Sequence, residues 1–299
     1  MNKIDLQQAR LGYLYVSLAA ILFAISGTSA KFLFNDGITA FHLIQLRTTL
    51  AFAGLLVWLC LKDPSLLKIS TKSLPYFIGL GVFGIGSAQF FYLLAISKIK
   101  VAAAILLHYT GPVFVALYVI LVQRQRLSLN SALAISGTLI GCFLVVGAYN
   151  LQLFALNRVG IIAGILAAIS FAVYSILSEY GMRKYTPWTV LLYGMLFAAL
   201  MWNSLHPPLE AFLHRYSSFQ WGLIGFIGIC GTIFPFGLYF EGVKRIRPTH
   251  ASITATLEPI SAGVIAAVFL GEVMVTLQII GGLIVIVSII ILQLNAAGN

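Results

Sequence analysis

The sequence predicts an all-α polytopic membrane protein with ten transmembrane helices, arranged as two inverted five-helix repeats. Three observations carry that prediction. Of 299 residues, 60% are hydrophobic and 9% charged, against roughly 25% charged in an ordinary soluble domain. The apolar residues form continuous runs of the ~20 residues that cross a bilayer as a helix, not the alternating segments of about ten residues that build a barrel. A block of the first half also recurs in the second at an almost constant offset, the mark of duplication.

Taken in order, length and bounding charges give helices over Leu11–Lys31, Phe41–Leu61, Leu74–Ile96, Val101–Gln123 and Leu129–Ala148. The second half gives Gly160–Glu179, Trp188–Leu205, Trp221–Gly242, Thr249–Leu270 and Leu277–Leu294. Lys3 and Arg10 precede the first run as they would a signal peptide, but the repeat makes that run part of the bundle. With the N-terminus inside, the connections place twelve Lys and Arg on the cytoplasmic side (among them Lys62, Lys68, Arg183 and Lys184) and five outside (Lys31, Lys98, Lys100, Arg158 and Arg215). Cytoplasmic loops retain the basic excess, so both termini are expected in the cytoplasm of a bacterial cell, with the chain in the inner membrane. The net charge of +10 is scattered singly between apolar runs, which speaks for topology and against a nucleic-acid partner. Cys60, Cys142 and Cys230 lie in apolar stretches without metal-ligand spacing and read as free thiols.

Leu18, Ala19, Ala20, Ile21, Phe23 and Ala24 recur 148 positions later as Leu166, Ala167, Ala168, Ile169, Phe171 and Ala172. Gly12 recurs as Gly160 at the same offset, while Tyr92 and Pro112 recur as Tyr239 and Pro259, 147 positions on. The units are residues 1–148 and 160–299, joined by a loop over 149–159. Five is an odd number of crossings, so the second unit enters from the opposite side. Such inverted repeats are a plan of secondary transporters, with the site near the midplane between the units.

Charged groups at that depth are costly and face the interior or a wet cavity. Glu258 lies deep in the ninth run and is followed by Pro259, which cannot donate to the carbonyl of Ala255. Two readings stand for it: binding of a cationic amine or proton, or a fixed salt bridge or neutral carboxyl. His108, four residues before Pro112, is either a proton-responsive group or a packed, hydrogen-bonded imidazole. Arg47 either attracts a substrate carboxylate or ties helices together. Polar stripes add Tyr109 beside His108, Gln89 and Tyr92 on the third run, and Ser170 and Tyr174 on the sixth. Thr232 and Tyr239 lie on the eighth, and Ser252 and Thr256 on the ninth. Small hydroxyls often only join membrane helices, so their convergence is what counts. Pro112, Pro235 and Pro259 are candidate hinges, and the glycine-rich third and eighth helices are the expected moving parts. Gly137 and Gly141 form a GxxxG packing pattern compatible with a homodimer.

LAAILFAISGTSAKFL at 18–33, with Arg47 in the next helix, and ASITATLEPISAGVIAAVFLGEVMVTLQIIGGLIVI at 251–286 resemble the two halves of an EamA-type member of the drug/metabolite transporter superfamily. The LEP of Leu257–Pro259 and the FLGE of Phe269–Glu272 are its most specific parts. The resemblance implies ten helices in two inverted repeats, cytoplasmic termini, and a central cavity lined by the first, third, fourth, sixth, eighth and ninth helices. It also implies export of amino acids or related metabolites, with import of metabolites or nucleotide-like compounds among some members. Glu258 and Pro259 fall on the family's EP pair and Glu272 on its later acidic position. The first half departs, with Gly111 in the place of Glu258 and Gln125 in the place of Glu272.

The sequence thus leads to a carrier that moves a small metabolite, foremost an amino acid, outward by alternating access, with uptake as the alternative direction. The alternative of another class is a membrane-embedded enzyme. Only eight acidic residues are present, and neither HExxH nor GxSxG occurs, so no catalytic residue, cofactor or metal ligand is assigned. The expected partners are a small-molecule substrate and the lipid bilayer, with proton coupling and dimerisation left open.

Overall fold

The computed structural model describes residues 3–122, 129–145, 149–205, 207, 209–243, 245–246, 254–255 and 257–298, and all regular structure among them is helical. The first half contains α1 (Lys3–Asn35), α2 (Ala40–Lys62), α3 (Leu74–Gly79), α4 (Ser87–Lys98), α5 (Val101–His108), α6 (Gly111–Leu121) and α7 (Leu129–Val145). The second contains α8 (Leu151–Met182), α9 (Pro187–Leu205), α10 (Glu210–Leu213), α11 (Ser218–Gly225), α12 (Ile233–Val243), α13 (Leu257–Leu270) and α14 (Thr276–Gly298). Six helical stretches are long and apolar enough to span a membrane: Gln8–Asn35, Ala40–Lys62, Thr71–Lys98, Asn157–Met182, Pro187–Leu205 and Ser218–Gly242. Shorter apolar helices run over Val101–Val115, Ala132–Val145, Leu257–Leu270 and Thr276–Ile291.

Local chemistry explains the ends. Thr39 caps α2 by accepting the His42 amide at 3.1 Å, and Ser217 and Gln220 form a reciprocal capping box at α11. Gly37 turns the chain between α1 and α2 at φ +90°, a conformation that glycine adopts without steric cost.

Three extents differ from the sequence reading. Helix α8 starts at Leu151, inside the stretch read as a loop, because LQLFALNR carries neither glycine nor proline to stop it. The expected single helix from Val101 breaks at Tyr109–Thr110 and restarts at Gly111. Pro112 has no amide to give His108, so it occupies the first turn of a new helix, where none is needed. Third, the glycine-rich third and eighth stretches are not α-helical throughout. Each contains a π-helical segment, Leu80–Gly86 in one and Phe226–Cys230 in the other, at positions related by the repeat offset. Wide turns of this kind occur often at functional sites.

Contacts between the halves come in matching pairs. A side chain at Gly12 would meet Ile246 at 2.7 Å, and one at Gly160 would meet Ile99 at 2.6 Å. Gly81 abuts Phe197 as Gly228 abuts Leu50, and Gly84 abuts Tyr174 as Gly231 abuts Ser26. Every member of one pair lies 147 or 148 positions from its counterpart. Helices α7 and α14 cross so closely that Gly141 and Gly281 each approach the other's carbonyl, the close packing that small residues permit in membranes.

The core divides accordingly. Leu33, Leu43, Ile44, Leu93, Ile96 and Ile105 anchor one buried cluster, and Leu55, Leu59, Phe77, Leu80 and Leu191 anchor another. Outward faces keep large apolar side chains such as Leu61, Phe83, Leu139 and Phe269 exposed, which suits lipid rather than water.

Lys31, at the end of α1, is not left in solvent. Its side chain is 12% exposed and lies 3.6 Å from Glu272, and Nζ donates to the carbonyls of Ile96 and Ile99 at 2.9 and 3.0 Å. Glu272 also accepts the Val101 amide at 2.7 Å, capping α5. Gly271, at φ +66°, makes the turn that delivers it. One corner thus ties α1, α4, α5 and α13 together. Glu179, which holds the repeat position of Lys31, pairs with Arg183 on an exposed helix end, an arrangement that contributes little.

Glu272→Ala removes the cap and leaves the Lys31 ammonium with carbonyl partners alone. It is expected to cost about 2–4 kcal/mol, read as a lower apparent Tm in detergent. Glu272→Gln keeps an acceptor for Val101 and should lose less than half as much; an unchanged midpoint in the alanine variant would refute the clamp.

Candidate functional site

The broken fourth helix and the start of α13 build one buried polar centre. Glu258 is 7% exposed; its Oε2 lies 2.9 Å from the Tyr109 hydroxyl and its Oε1 3.4 Å from that of Tyr92. The Tyr109 hydroxyl also lies 2.8 Å from the Ala255 carbonyl oxygen, the group that Pro259 cannot serve. The break at Tyr109–Thr110 therefore delivers a donor from the first half to a proline-freed backbone group in the second. A phenol has one proton, yet Tyr109 faces two acceptors. The proton is shared between them, or it goes wholly to Ala255 when a protonated Glu258 carboxyl donates to the Tyr109 oxygen instead.

Tyr92 reaches this centre because α1 has Gly27 opposite it, where a side chain would stand 2.9 Å from the Tyr92 hydroxyl. His108 packs edge-on against Tyr92 and Phe171, with ring centroids at 5.3 and 4.9 Å. It hydrogen-bonds the backbone of Ala167, while its buried Nδ1 has no partner among the described residues. Arg47 enters from α2, donating from Nε to Thr232 Oγ1 at 3.1 Å. Its charge and that of Glu258 act on each other, although among the described residues no carboxylate lies within the 4 Å of an ion pair to Arg47. Thr232 in turn donates to Ile227 O at 2.8 Å, which fixes it to the second π segment.

The remaining sequence-derived residues divide. Tyr239 lies within electrostatic reach of Tyr109 and Tyr174. Tyr174 stacks near Phe171 at 5.9 Å and borders a small crevice with Ser178, Pro187 and Phe240. Gln89 turns instead toward α9, where its Nε2 lies 3.5 Å from Met195 Sδ. Ser170 is buried on α8, and no hydrogen bond among the described residues joins it to Glu258. Ser252 and Thr256 lie outside the described residues, as does Gln125. Pro112 stands second in α6 and Pro235 third in α12, each in a first turn, whereas Pro259 follows helical residues at 254–255.

The sequence reading gave Phe171 and Gly111 no role at the site. Phe171 forms one wall of the His108 pocket, and Gly111 leaves room for it, since any side chain at Gly111 would strike the Phe171 ring. The first half thus has a steric reason for lacking a counterpart to Glu258. Phe171 was visible only as a member of the repeated block.

Comparison with known proteins accords with this layout. The model of the EamA-like transporter family matches residues 10–147 and again 158–294. An uncharacterized transporter of Archaeoglobus fulgidus is 31% identical over 94% of this chain and 96% of its own. The inner membrane transporter YicL of Salmonella typhimurium is 26% identical over 96% of each chain. The threonine/homoserine exporter RhtA of Escherichia coli K12 is 24% identical over 88% of this chain and 81% of its own. A solved crystal structure at 20% identity shares the fold with TM-score 0.61 across 98% of both chains. The chain belongs to the EamA-like transporter family and is a multi-pass membrane transporter.

Proposed function

We propose that this transporter is a secondary carrier of small metabolites, foremost amino acids, exporting them across the inner membrane by alternating access. The observation that carries the reading is a buried carboxylate, Glu258, held between tyrosines of the opposite half and flanked by cross-repeat contacts that match in pairs. Pseudo-equivalent halves can exchange inward-open and outward-open shapes around one fixed site. In this reading the four shorter apolar helices also cross the bilayer, giving ten spans in two inverted units over 1–148 and 160–299, with both termini cytoplasmic. The basic excess in the connections supports that orientation. The relationship to RhtA supports amino acids and outward movement, and the name of YicL supports the inner membrane.

Glu258 takes either the substrate amine or a proton, and the Tyr109 hydroxyl, keeping its proton, turns its hydrogen bond between the carboxylate and the Ala255 carbonyl as that charge changes. Tyr109→Phe strands both acceptors, at a cost of about 1–3 kcal/mol, and should slow flux about tenfold. Tyr92, at 3.4 Å, makes a weaker hydrogen bond, and Tyr92→Phe should slow it less than about threefold. Equal losses in the two variants would contradict this ranking.

The reading as a whole is tested by counterflow into proteoliposomes with labelled amino acids, nucleosides and organic acids, with and without a pH gradient. Saturable exchange of amino acids is expected. Exchange confined to nucleosides, or none from folded protein, would overturn it.

A further inference from the structure

Arg47 enters the centre with most of its hydrogen-bonding capacity unspent. It is 5% exposed, and of the five N–H donors of a guanidinium only Nε is engaged among the described residues, with Thr232. Among the described residues nothing accepts from its two terminal nitrogens, and neither is among the partnerless polar atoms sealed from water. The groups that act on it electrostatically are Glu258, Tyr92 and His108, and none stands at ion-pair distance. A buried cation without a partner is costly. Here the head is nonetheless held in place by Thr232, which is itself fixed to the π segment. The unfilled fork is planar and matches a carboxylate through two parallel hydrogen bonds.

We infer that Arg47 binds the carboxylate of the transported solute, while the solute's ammonium group faces Glu258 across the same space. The substrate class is then the amino-carboxylic zwitterion. Neutral amides of the same skeleton lack the group that the fork receives. This inference rests on the amino-acid carrier reading and narrows it to a named residue.

The test uses the full-length protein in lipid nanodiscs and the arginine reagent phenylglyoxal, with modification of Arg47 followed by peptide mass spectrometry. A pool of L-amino acids is expected to slow modification of Arg47, and the matched pool of L-amino-acid amides is expected to leave it unchanged. In proteoliposomes, Arg47→Gln should weaken amino-acid counterflow roughly 10- to 100-fold, the worth of lost charged hydrogen bonds, with Arg47→Lys between the two because it keeps charge without the fork.

The inference is overturned if Arg47 is never modified, if acids and amides protect it equally, or if Arg47→Gln exchanges amino acids as the wild type does. With wild-type counterflow active, any of these outcomes removes Arg47 from the site and leaves the carrier reading standing. Protection by amino acids in a wild-type protein that exchanges none of them would do the reverse, keeping the anion site and discarding the carrier reading. The labelling arm needs no variant, so a folding defect cannot mask the answer.

Discussion

Glu258→Gln is expected to reduce amino-acid exchange by about 10- to 100-fold while leaving the yield and monodispersity of the folded protein unchanged. Glutamine has the same shape, and its amide fits the bonds already present. With its nitrogen in the place of Oε2 it donates to the Tyr109 oxygen, which frees the Tyr109 proton for Ala255 O at 2.8 Å. The other amide atom still accepts from Tyr92. The substitution therefore leaves no stranded group that would unfold the centre. It removes only the ability to carry negative charge and to release a proton.

A charged hydrogen bond contributes roughly 1.5–3 kcal/mol, and about 1.4 kcal/mol is tenfold, which sets the expected range. The remaining flux should also respond less to an imposed pH gradient than that of the wild type. Glu258→Asp, whose carboxylate retreats from Tyr109 by one methylene, should fall between the two. Unaltered flux with an unaltered pH profile in Glu258→Gln would return this residue to a packing role.

The parts of this architecture that were legible in the sequence are those set by composition and local order. Hydropathy alone locates the apolar helices, because lipid admits no other way to satisfy the backbone. The repeat offset also foretold which residues would occupy equivalent places, including Gly12 with Gly160. What stayed hidden depends on groups far apart in the chain. Nothing in the sequence joins Lys31 to Glu272, 241 positions on, and only folding sets them 3.6 Å apart. The break at Tyr109 was half visible. Pro112 announces a freed carbonyl, but whether the helix kinks or stops depends on whether a neighbour rewards the stop, and here Glu258 and Ala255 do so through the Tyr109 hydroxyl. The π segments were foreshadowed by glycines alone, since a wide turn forms where packing asks for an extra residue. No acidic residue lies near Arg47 in the sequence, Asp36 and Asp63 being the nearest. In the fold Glu258 comes within electrostatic reach of it, although among the described residues no carboxylate stands at ion-pair distance.

Gly12→Leu and Gly160→Leu are expected to bias the transporter in opposite directions, each lowering flux about tenfold. A side chain at Gly12 would overlap Ile246 at 2.7 Å, and one at Gly160 would overlap Ile99 at 2.6 Å. Overpacking of this kind costs roughly 1–3 kcal/mol, and at about 1.4 kcal/mol per tenfold that is enough to invert a balanced pair of conformations. The corners they wedge belong to different ends of the bundle. Lys31, at the end of α1, shares Ile99 with Gly160, whereas Ser178 and Met182, at the end of α8, share a crevice with Phe240, just before the corner at Ile246. Leucine at 12 should therefore prop open the end that holds Ser178, and leucine at 160 the end that holds Thr28. Reporter cysteines at Ser178 and Thr28, in a chain whose Cys60, Cys142 and Cys230 are replaced, read the two ends separately by their rates of thiol labelling. Gly12→Leu should speed labelling at 178 and slow it at 28, and Gly160→Leu should do the opposite. If both variants move both reporters in the same direction, the two glycines are merely packing defects and the halves do not exchange shapes. A reciprocal result would tie a pair of glycines, matched across the repeat offset, to the two gates of one cycle.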